Sequence, residues 1–349
     1  MVYVVHQRAC ERNASGDTLM KWQYKAMVQN AIARLPLSDT IYYAVQRTFG
    51  DLRPSRFDPM EWISAACEMV LWLKSAGYRI AGKQFLEVGT GRALGMPLTL
   101  WLCGAGGTVT VDLNRYLSTG LVMDCNRYLR RNQAKIREFL QRADDDGDSQ
   151  KRLDQLLAFS GNISSFLDLI HVQYLAPADA GKLPFPDHSF DFHFSYAVLE
   201  HVPGPIILQI LREAKRILRP TGAVLHSIDL SDHFWYSDNS IQRINCLRFS
   251  QEEWQRWAGN KYMYHNRLRV RELLELFAEA GVRIGHESRT LHEGSLVAVK
   301  NGFPLDPQFR SVPVEELAVT SLRIMGSFPA EPQGEGARSQ HPVEWVHIP

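Results

Sequence analysis

The sequence predicts a doubly wound α/β fold, and three observations carry that prediction. The apolar run Phe85-Leu86-Glu87-Val88 leads straight into the turn Gly89-Thr90-Gly91. A β-rich run, Thr108-Val109-Thr110-Val111-Asp112, follows after a segment suited to a crossover helix. Strand–helix alternation then resumes at Val172-Gln173-Tyr174 and continues to about residue 300. Two strands joined through a helix are parallel, and repeated alternation builds one sheet with helices on both faces. Ligands of such sheets sit beyond the carboxyl ends of the strands. The residues just after each strand are therefore the ones to weigh.

Along the chain, residues 1–80 read as an N-terminal helical cap. Tyr42-Tyr43-Ala44-Val45-Gln46-Arg47 and the run Trp62 to Leu73 place apolar residues at helical spacing. The span Ala93 to Val111 is uncharged, but Pro97, Gly104, Gly106 and Gly107 break it. It reads as a buried helix, Pro97 to Cys103, a turn and a strand, not as a membrane span. A helical insertion covers 115–169. Its Asp144-Asp145-Asp146-Gly147-Asp148 lacks the later Glu of a calcium loop.

A strand follows at Phe190 to Ser195. An amphipathic helix then carries Ile207, Ile210, Leu211, Ala214, Ile217 and Leu218 on one face, and Arg219-Pro220-Thr221-Gly222 stops it. The next strand is Ala223 to Ile228. An acceptor or lid insertion spans 231–268, and a helix runs from Val270 to Ala280, ended by Gly281. Closing strands are expected near Val282 to Ile284 and Leu296 to Val299. The main domain is thus 81–300. Residues 301–349 read as a C-terminal tail whose last portion is loosely docked or disordered.

The length of 349 residues suits one large domain with insertions. Lys+Arg (39) and Asp+Glu (38) nearly cancel, so there is no general attraction to nucleic acid or to an anionic membrane. The expected partner is a small molecule, with room left for a homodimer. Cys10, Cys67, Cys103, Cys125 and Cys246 are scattered, with no CxxC pair and no zinc spacing. The start, Met1-Val2-Tyr3-Val4-Val5-His6, lacks a basic segment followed by a long apolar one. Reduced thiols in a cytoplasmic protein are the expectation.

Taken alone, Gly89-Thr90-Gly91 can hold a dinucleotide, a nucleoside or nothing. Glu87 just before the turn suits an ammonium group and repels a pyrophosphate. Leu94 stands where a third glycine of G-x-G-x-x-G belongs, with Ala93 and Gly95 beside it. Both details turn the reading away from a pyrophosphate. Asp112, followed by Leu113, ends the second strand, where a carboxylate can accept two ribose hydroxyls or merely be solvated. In Ala178-Asp179-Ala180, Asp179 can accept from an exocyclic amine of adenine or be a surface aspartate. Leu183-Pro184-Phe185-Pro186-Asp187-His188-Ser189-Phe190-Asp191 and Tyr196-Ala197-Val198-Leu199-Glu200-His201-Val202 complete the series.

Together and in this order, these segments resemble the class I S-adenosylmethionine-dependent methyltransferases, over about residues 84–300. The resemblance implies a Rossmann-like sheet of seven strands, one of them antiparallel. It implies S-adenosylmethionine as cofactor, with Glu87, Gly89, Thr90 and Gly91 at its methionine end. Asp112 and Leu113 would hold the ribose side, Asp179 and Ala180 the adenine, and Ser195 would touch it through its backbone. Three further segments resemble a narrower group found with sugar, polysaccharide or secondary-metabolite pathways: His226-Ser227-Ile228-Asp229-Leu230-Ser231-Asp232-His233, Asn245 to Phe249, and Asn266-Arg267-Leu268-Arg269.

Methylation of a hydroxyl needs a base near the transferring methyl. His233 and Asp229, at and beyond the end of the fifth strand, are the first candidates, and His201 after the fourth is the next. His226 reads as strand packing. Asp229, Asp232 and His233 are ligand types for a cation, but Asp232 equally caps a turn, and no metal is expected. Phe234, Trp235, Tyr236, Trp254, Trp257, Tyr262 and Tyr264 line an acceptor pocket or form the core of the insertion. Arg267 and Arg269 meet an anionic acceptor or pair with Glu272 and Glu275. The function expected is O-methylation of a natural product or sugar. The alternatives are N- or C-methylation, a non-methylating enzyme on the same fold, or a non-catalytic partner subunit.

Overall fold

The computed structural model describes residues 21–50, 52–53 and 57–329. Cys10, the first residues of the chain and the end of the tail lie outside them.

Seven strands form one sheet: β1 (Gln84–Val88), β2 (Gly107–Val111), β3 (Val172–Leu175), β4 (Phe190–Tyr196), β5 (Leu218–Asp229), β6 (Arg283–Leu291) and β7 (Val319–Ser327). Their order is β3-β2-β1-β4-β5-β7-β6. β1 to β5 pair in parallel, while β7 is antiparallel to both β5 and β6. This is the expected doubly wound, Rossmann-like sheet with one antiparallel strand. The order reverses between β1 and β4, so the crevice opens at their carboxyl ends.

The two faces bury separate cores, because successive strand residues point to opposite sides. Phe85, Phe192, Phe194 and Leu225 face a layer made by helices Met60–Ser75 and Gly95–Leu102 and by the insertion. Leu86, Val109, Val224 and Leu322 face helices Gly204–Ile217 and Val270–Glu279. Most of these side chains are fully buried, each contributing about 1.5–3 kcal/mol. Cys67, Cys103, Cys125 and Cys246 are free and buried. Among the described residues no helix is long and apolar enough to cross a membrane.

The 115–169 insertion is four helices: Thr119–Arg131, Gln133–Ala143, Ser149–Ala158 and Ile163–Leu169. Leu121, Cys125, Leu129, Ile136, Leu140, Leu153 and Leu156 are its buried stripe. Its acidic loop is spent on structure. Asp145 Oδ2 accepts from the Ile80 and Ala81 N–H groups at 2.9 Å, and Asp146 pairs with Arg152 at 2.6 Å.

Three expectations need correction. Leu296 to Val299 is not a strand but lies in helix Glu293–Lys300. The strand that completes the sheet is β7, inside the stretch read as a tail, so the sheet does not end at residue 300. The first 80 residues are also not one cap. Helix Met60–Ser75 flanks the sheet, whereas helix Trp22–Ala33 shares a third core with the 231–268 insertion. In that core Trp22 meets Phe234, Phe249 and Trp257 at 5.3, 5.7 and 5.0 Å between ring centroids.

Candidate active site

At the end of β1 the chain turns through Gly89 (φ +84°) and Gly91 (φ +66°). A Cβ at Gly89 would lie 2.4 Å from a Val198 methyl, so only glycine fits there. Val198 reaches that point because Ala197, directly after β4, takes a left-handed φ of +53°. The Gly89 N–H donates to the Val111 carbonyl at 2.8 Å, tying the turn to β2.

Glu87 is buried, and its Oε2 accepts from the Thr110 hydroxyl at 2.5 Å. Thr110 also contacts Thr90 through their hydroxyls. Among the described residues no cationic side chain forms an ion pair with Glu87. Burial pushes its carboxyl up to about 8, the Thr110 hydrogen bond opposing and the Asp112 charge adding to the shift. A buried carboxylate without a cation is a ready seat for an ammonium group.

Asp112 stands beside it. Its Oδ1 accepts from the Gly91 N–H at 3.4 Å and its Oδ2 from the Tyr174 hydroxyl at 3.3 Å, and burial raises its carboxyl to about 7. The Ala178 N–H donates to the Asp112 carbonyl at 2.9 Å, which brings the 178–180 loop to the end of β2. Leu113 is 71% exposed. Asp179 is exposed and accepts the Gly181 N–H at 2.8 Å; Ala180 is half-buried. The Ser195 hydroxyl lies 2.7 Å from His226 Nδ1 inside the sheet, so only the Ser195 backbone is left for a ligand.

No sequence motif marks Arg92 or Tyr116, and Tyr43 reads there only as part of a helical run. The Arg92 guanidinium lies 4.8 Å over the Tyr43 ring and 5.6 Å from that of Tyr116. Tyr43 Oη is 2.6 Å from Ser118 Oγ, Tyr42 stacks on Tyr262 at 4.1 Å, and Lys261 pairs with Asp39 at 2.8 Å. Helix Ser38–Thr48 therefore bridges from the loop after β2 to the insertion after β5.

A second polar group gathers after β4 and β5. Asp229 ends β5. Its Oδ1 accepts from the Ser231 N–H and hydroxyl at 2.9 and 2.6 Å, and its Oδ2 from the Tyr236 hydroxyl at 2.6 Å. His233 Nε2 lies 3.2 Å from the same Oδ2. Burial works against charge on both groups. Their mutual attraction outweighs it, holding Asp229 well below and His233 above their ordinary ranges. His201 lies 4.8 Å from His233 and 6.4 Å from His265, ring to ring. Its Nδ1 is 2.6 Å from the Tyr264 carbonyl, so Nδ1 carries the proton and Nε2 the lone pair. Glu200 is fully buried, and no side chain hydrogen-bonds its carboxylate; only the backbone N–H groups of Glu200 and Asp229 lie towards it, too poorly placed for full hydrogen bonds. Burial pushes it up to about 8.

The remaining sequence candidates are structural. Asp232 accepts from Phe234 N–H and Asn245 Nδ2 at 2.8 and 3.0 Å, which is a cap. Arg267 donates to the Cys246 and Phe249 carbonyls, and Arg269 to those of Leu230, Leu317 and Val319. Among the described residues neither guanidinium forms an ion pair with Glu272 or Glu275; the Arg269 N–H, not its side chain, donates to Glu272 Oε2 at 2.9 Å. Phe234 and Trp254 belong to the insertion core.

Residues 160–226 match a family model described as a methyltransferase domain. The match spans 67 residues, from the last insertion helix through β4 to His226 in β5. The chain thus contains a stretch similar to a methyltransferase domain, set in a seven-stranded Rossmann-like sheet. It is an enzyme, and its cofactor is S-adenosylmethionine. No curated protein matches the chain. Among solved structures, a methyltransferase of Methanosarcina mazei is similar at 15% identity, over 74% of this chain and 98% of that one, with a TM-score of 0.44. A putative methyltransferase of Bacillus halodurans is similar at 16%, over 75% and 100%, with 0.39. The [4+2]-cyclase SpnF is similar at 13%, over 77% and 81%, with 0.41. At these values the likenesses add nothing to the topology.

The buried Glu87 carboxyl gives a pH prediction. The folded value of Glu87 lies above its ordinary 4.5. Its contribution to the stability of the cofactor-free protein is therefore full below about 4.5 and lost as pH rises through about 8. Binding an ammonium group must expel the proton, so affinity for S-adenosylmethionine rises with pH between 6 and 8, by up to about tenfold per unit. Calorimetric titrations at pH 6, 7 and 8 check this, and Glu87→Gln should reduce the slope, leaving the part that Asp112, raised to about 7, contributes. A flat profile in the unaltered protein would remove Glu87 from the methionine end.

Proposed function

We propose that the enzyme methylates an oxygen of a small-molecule acceptor, a natural product or a sugar, in secondary metabolism. The observation that carries the oxygen assignment is the Asp229–His233 pair with His201 beside it, directly past the ends of β5 and β4. A hydroxyl must lose its proton as it is methylated, and an imidazole held by a carboxylate is suited to take it. His233 takes the proton, and Asp229 holds the ring and balances the charge that forms. His201 presents the lone pair of Nε2 to the acceptor. The secondary-metabolite assignment is supported by the resemblance of the 226–233, 245–249 and 266–269 segments to enzymes of such pathways. The buried free cysteines suit a reducing, cytoplasmic setting.

On the cofactor side, Glu87 takes the ammonium group and Asp112 the ribose hydroxyls. The backbone at Gly89, Thr90 and Gly91 lies along the methionine, and that of Ser195 faces the cofactor from β4. Leu113 stands beside Asp112 on the ribose side, while Asp179 and Ala180 meet the edge of the adenine. Bound there, S-adenosylmethionine supplies an electrophilic methyl on a sulfonium. The chain's own work is to align the acceptor, exclude water and hold the proton.

The test is incubation of the protein with S-adenosylmethionine and a panel of hydroxylated sugars and natural products. The expected product gains one methyl group, placed on oxygen by NMR, with one S-adenosylhomocysteine formed per product. A methyl found on nitrogen or carbon would overturn the oxygen assignment. A product altered without methyl gain would point to the non-methylating alternative.

A further inference from the structure

The side chains of Glu200, His201 and His233 each offer a ligand atom, and these atoms lie within 4.8 Å of one another. We infer that they form a site for one divalent transition-metal cation.

Three observations separate this group from a chance cluster. First, the Glu200 carboxylate is fully buried, no side chain hydrogen-bonds it, and neither oxygen has a well-placed donor. A buried carboxylate in that state is costly unless something positive or hydrogen-bonding meets it. It is also held rigidly in place: Asn266 Nδ2 donates to the Leu199 and Val202 carbonyls at 2.7 Å each, and the Asn266 N–H to the Glu200 carbonyl at 2.8 Å. Second, both imidazoles carry the outer partners typical of metal ligands. His201 is fixed by the Tyr264 carbonyl, which leaves Nε2 as a free donor, and His233 is braced by the Asp229 carboxylate. Asp229 is in turn fixed by Ser231 and Tyr236. Third, the ligand set leaves room for a fourth group. Two imidazoles and one carboxylate make a three-ligand site of the open, catalytic type. His201 is exposed, so a fourth ligand can reach the group from solvent.

The ligand types select the cation. Imidazole with one carboxylate suits Zn²⁺, Co²⁺, Mn²⁺ or Fe²⁺, not Ca²⁺ or Mg²⁺, which take oxygen ligands almost alone. Asp232 is not part of the site, because both its oxygens are used in the cap. The inference goes beyond the proposed function. With a cation bound, His233 is a ligand rather than a free base, and the site can meet the acceptor oxygen directly.

The test uses the full chain stripped with a chelator and titrated with Co²⁺ alone, read by its visible absorption, with Zn²⁺ as competitor. Neither cofactor nor acceptor is added, so the result is independent of the methylation assay. One equivalent should bind, and Zn²⁺ should displace it. His201→Ala and Glu200→Gln should each weaken binding about tenfold or more, and Asp229→Asn should weaken it to a lesser degree. His201 is exposed, so its variant is expected to fold, and unchanged S-adenosylmethionine binding confirms that it has. Failure of the unaltered chain to bind one equivalent, or equal binding by the His201→Ala chain, overturns the site. Methyl transfer by a chain that binds no cation would overturn the site and leave the proposed function standing.

Discussion

Asp112→Ala is expected to weaken S-adenosylmethionine binding by about 10²-fold or more. The carboxylate would accept two ribose hydroxyls, and each charge-assisted hydrogen bond contributes about 1.5–3 kcal/mol. Two of them come to about 3–6 kcal/mol, and each 1.4 kcal/mol is about tenfold in affinity. The side chain is buried and carries a raised pKa without the cofactor. Its removal therefore should not lower the melting temperature of the cofactor-free protein. That separates loss of the site from loss of the fold. Calorimetric titration of the two proteins measures the ratio, and equal affinities would mean the ribose lies elsewhere. Asp112→Asn should fall between, since an amide keeps the volume and can accept through only one oxygen.

The second large effect is on turnover. His233→Ala should lower the rate of methyl transfer by about 10²–10⁴-fold, the usual span for a general base, while the cofactor affinity stays within about twofold. The two sites are separate in the fold, one past β1 and β2, the other past β4 and β5. Asp229→Asn should act in the same direction but less, because it loosens the ring without removing it. Single-turnover assays on an acceptor found by methyl gain give the rate directly. Full activity in His233→Ala would remove His233 as the base.

The strand ends after β1 and β2 were legible because their signals are local. Glu87, Gly89, Gly91 and Asp112 each sit at a strand end, and the strands are short apolar runs closed by turns. The far side of the sheet was not. β6 is an exposed edge carrying Arg283, His286, Glu287 and Arg289, so it shows little apolar alternation. β7 pairs with β5 nearly a hundred residues earlier in the chain, a contact no local pattern announces. Leu296 to Val299 is a short apolar run, which fits a helix as well as a strand. Glu200 could be read as part of a segment but not as buried without a side-chain hydrogen bond, because Asn266, far along the chain, fixes its turn. Arg267 and Arg269 show the converse. Two arginines in one short loop look like anion ligands, yet both spend their donors on carbonyls of the insertion and of β7. Helix Ser38–Thr48 kept its bridging role hidden because its partners Ser118 and Lys261 lie on two separate insertions.

The central claim is that the turn after β1, with Glu87 and Asp112, holds S-adenosylmethionine. Calorimetric titration of the full chain with S-adenosylmethionine at pH 8 tests it most directly. The account predicts one molecule bound per chain in the micromolar range, with affinity lost in Asp112→Ala and kept in His233→Ala. No binding at millimolar cofactor, or equal binding by the Asp112→Ala chain, would contradict it.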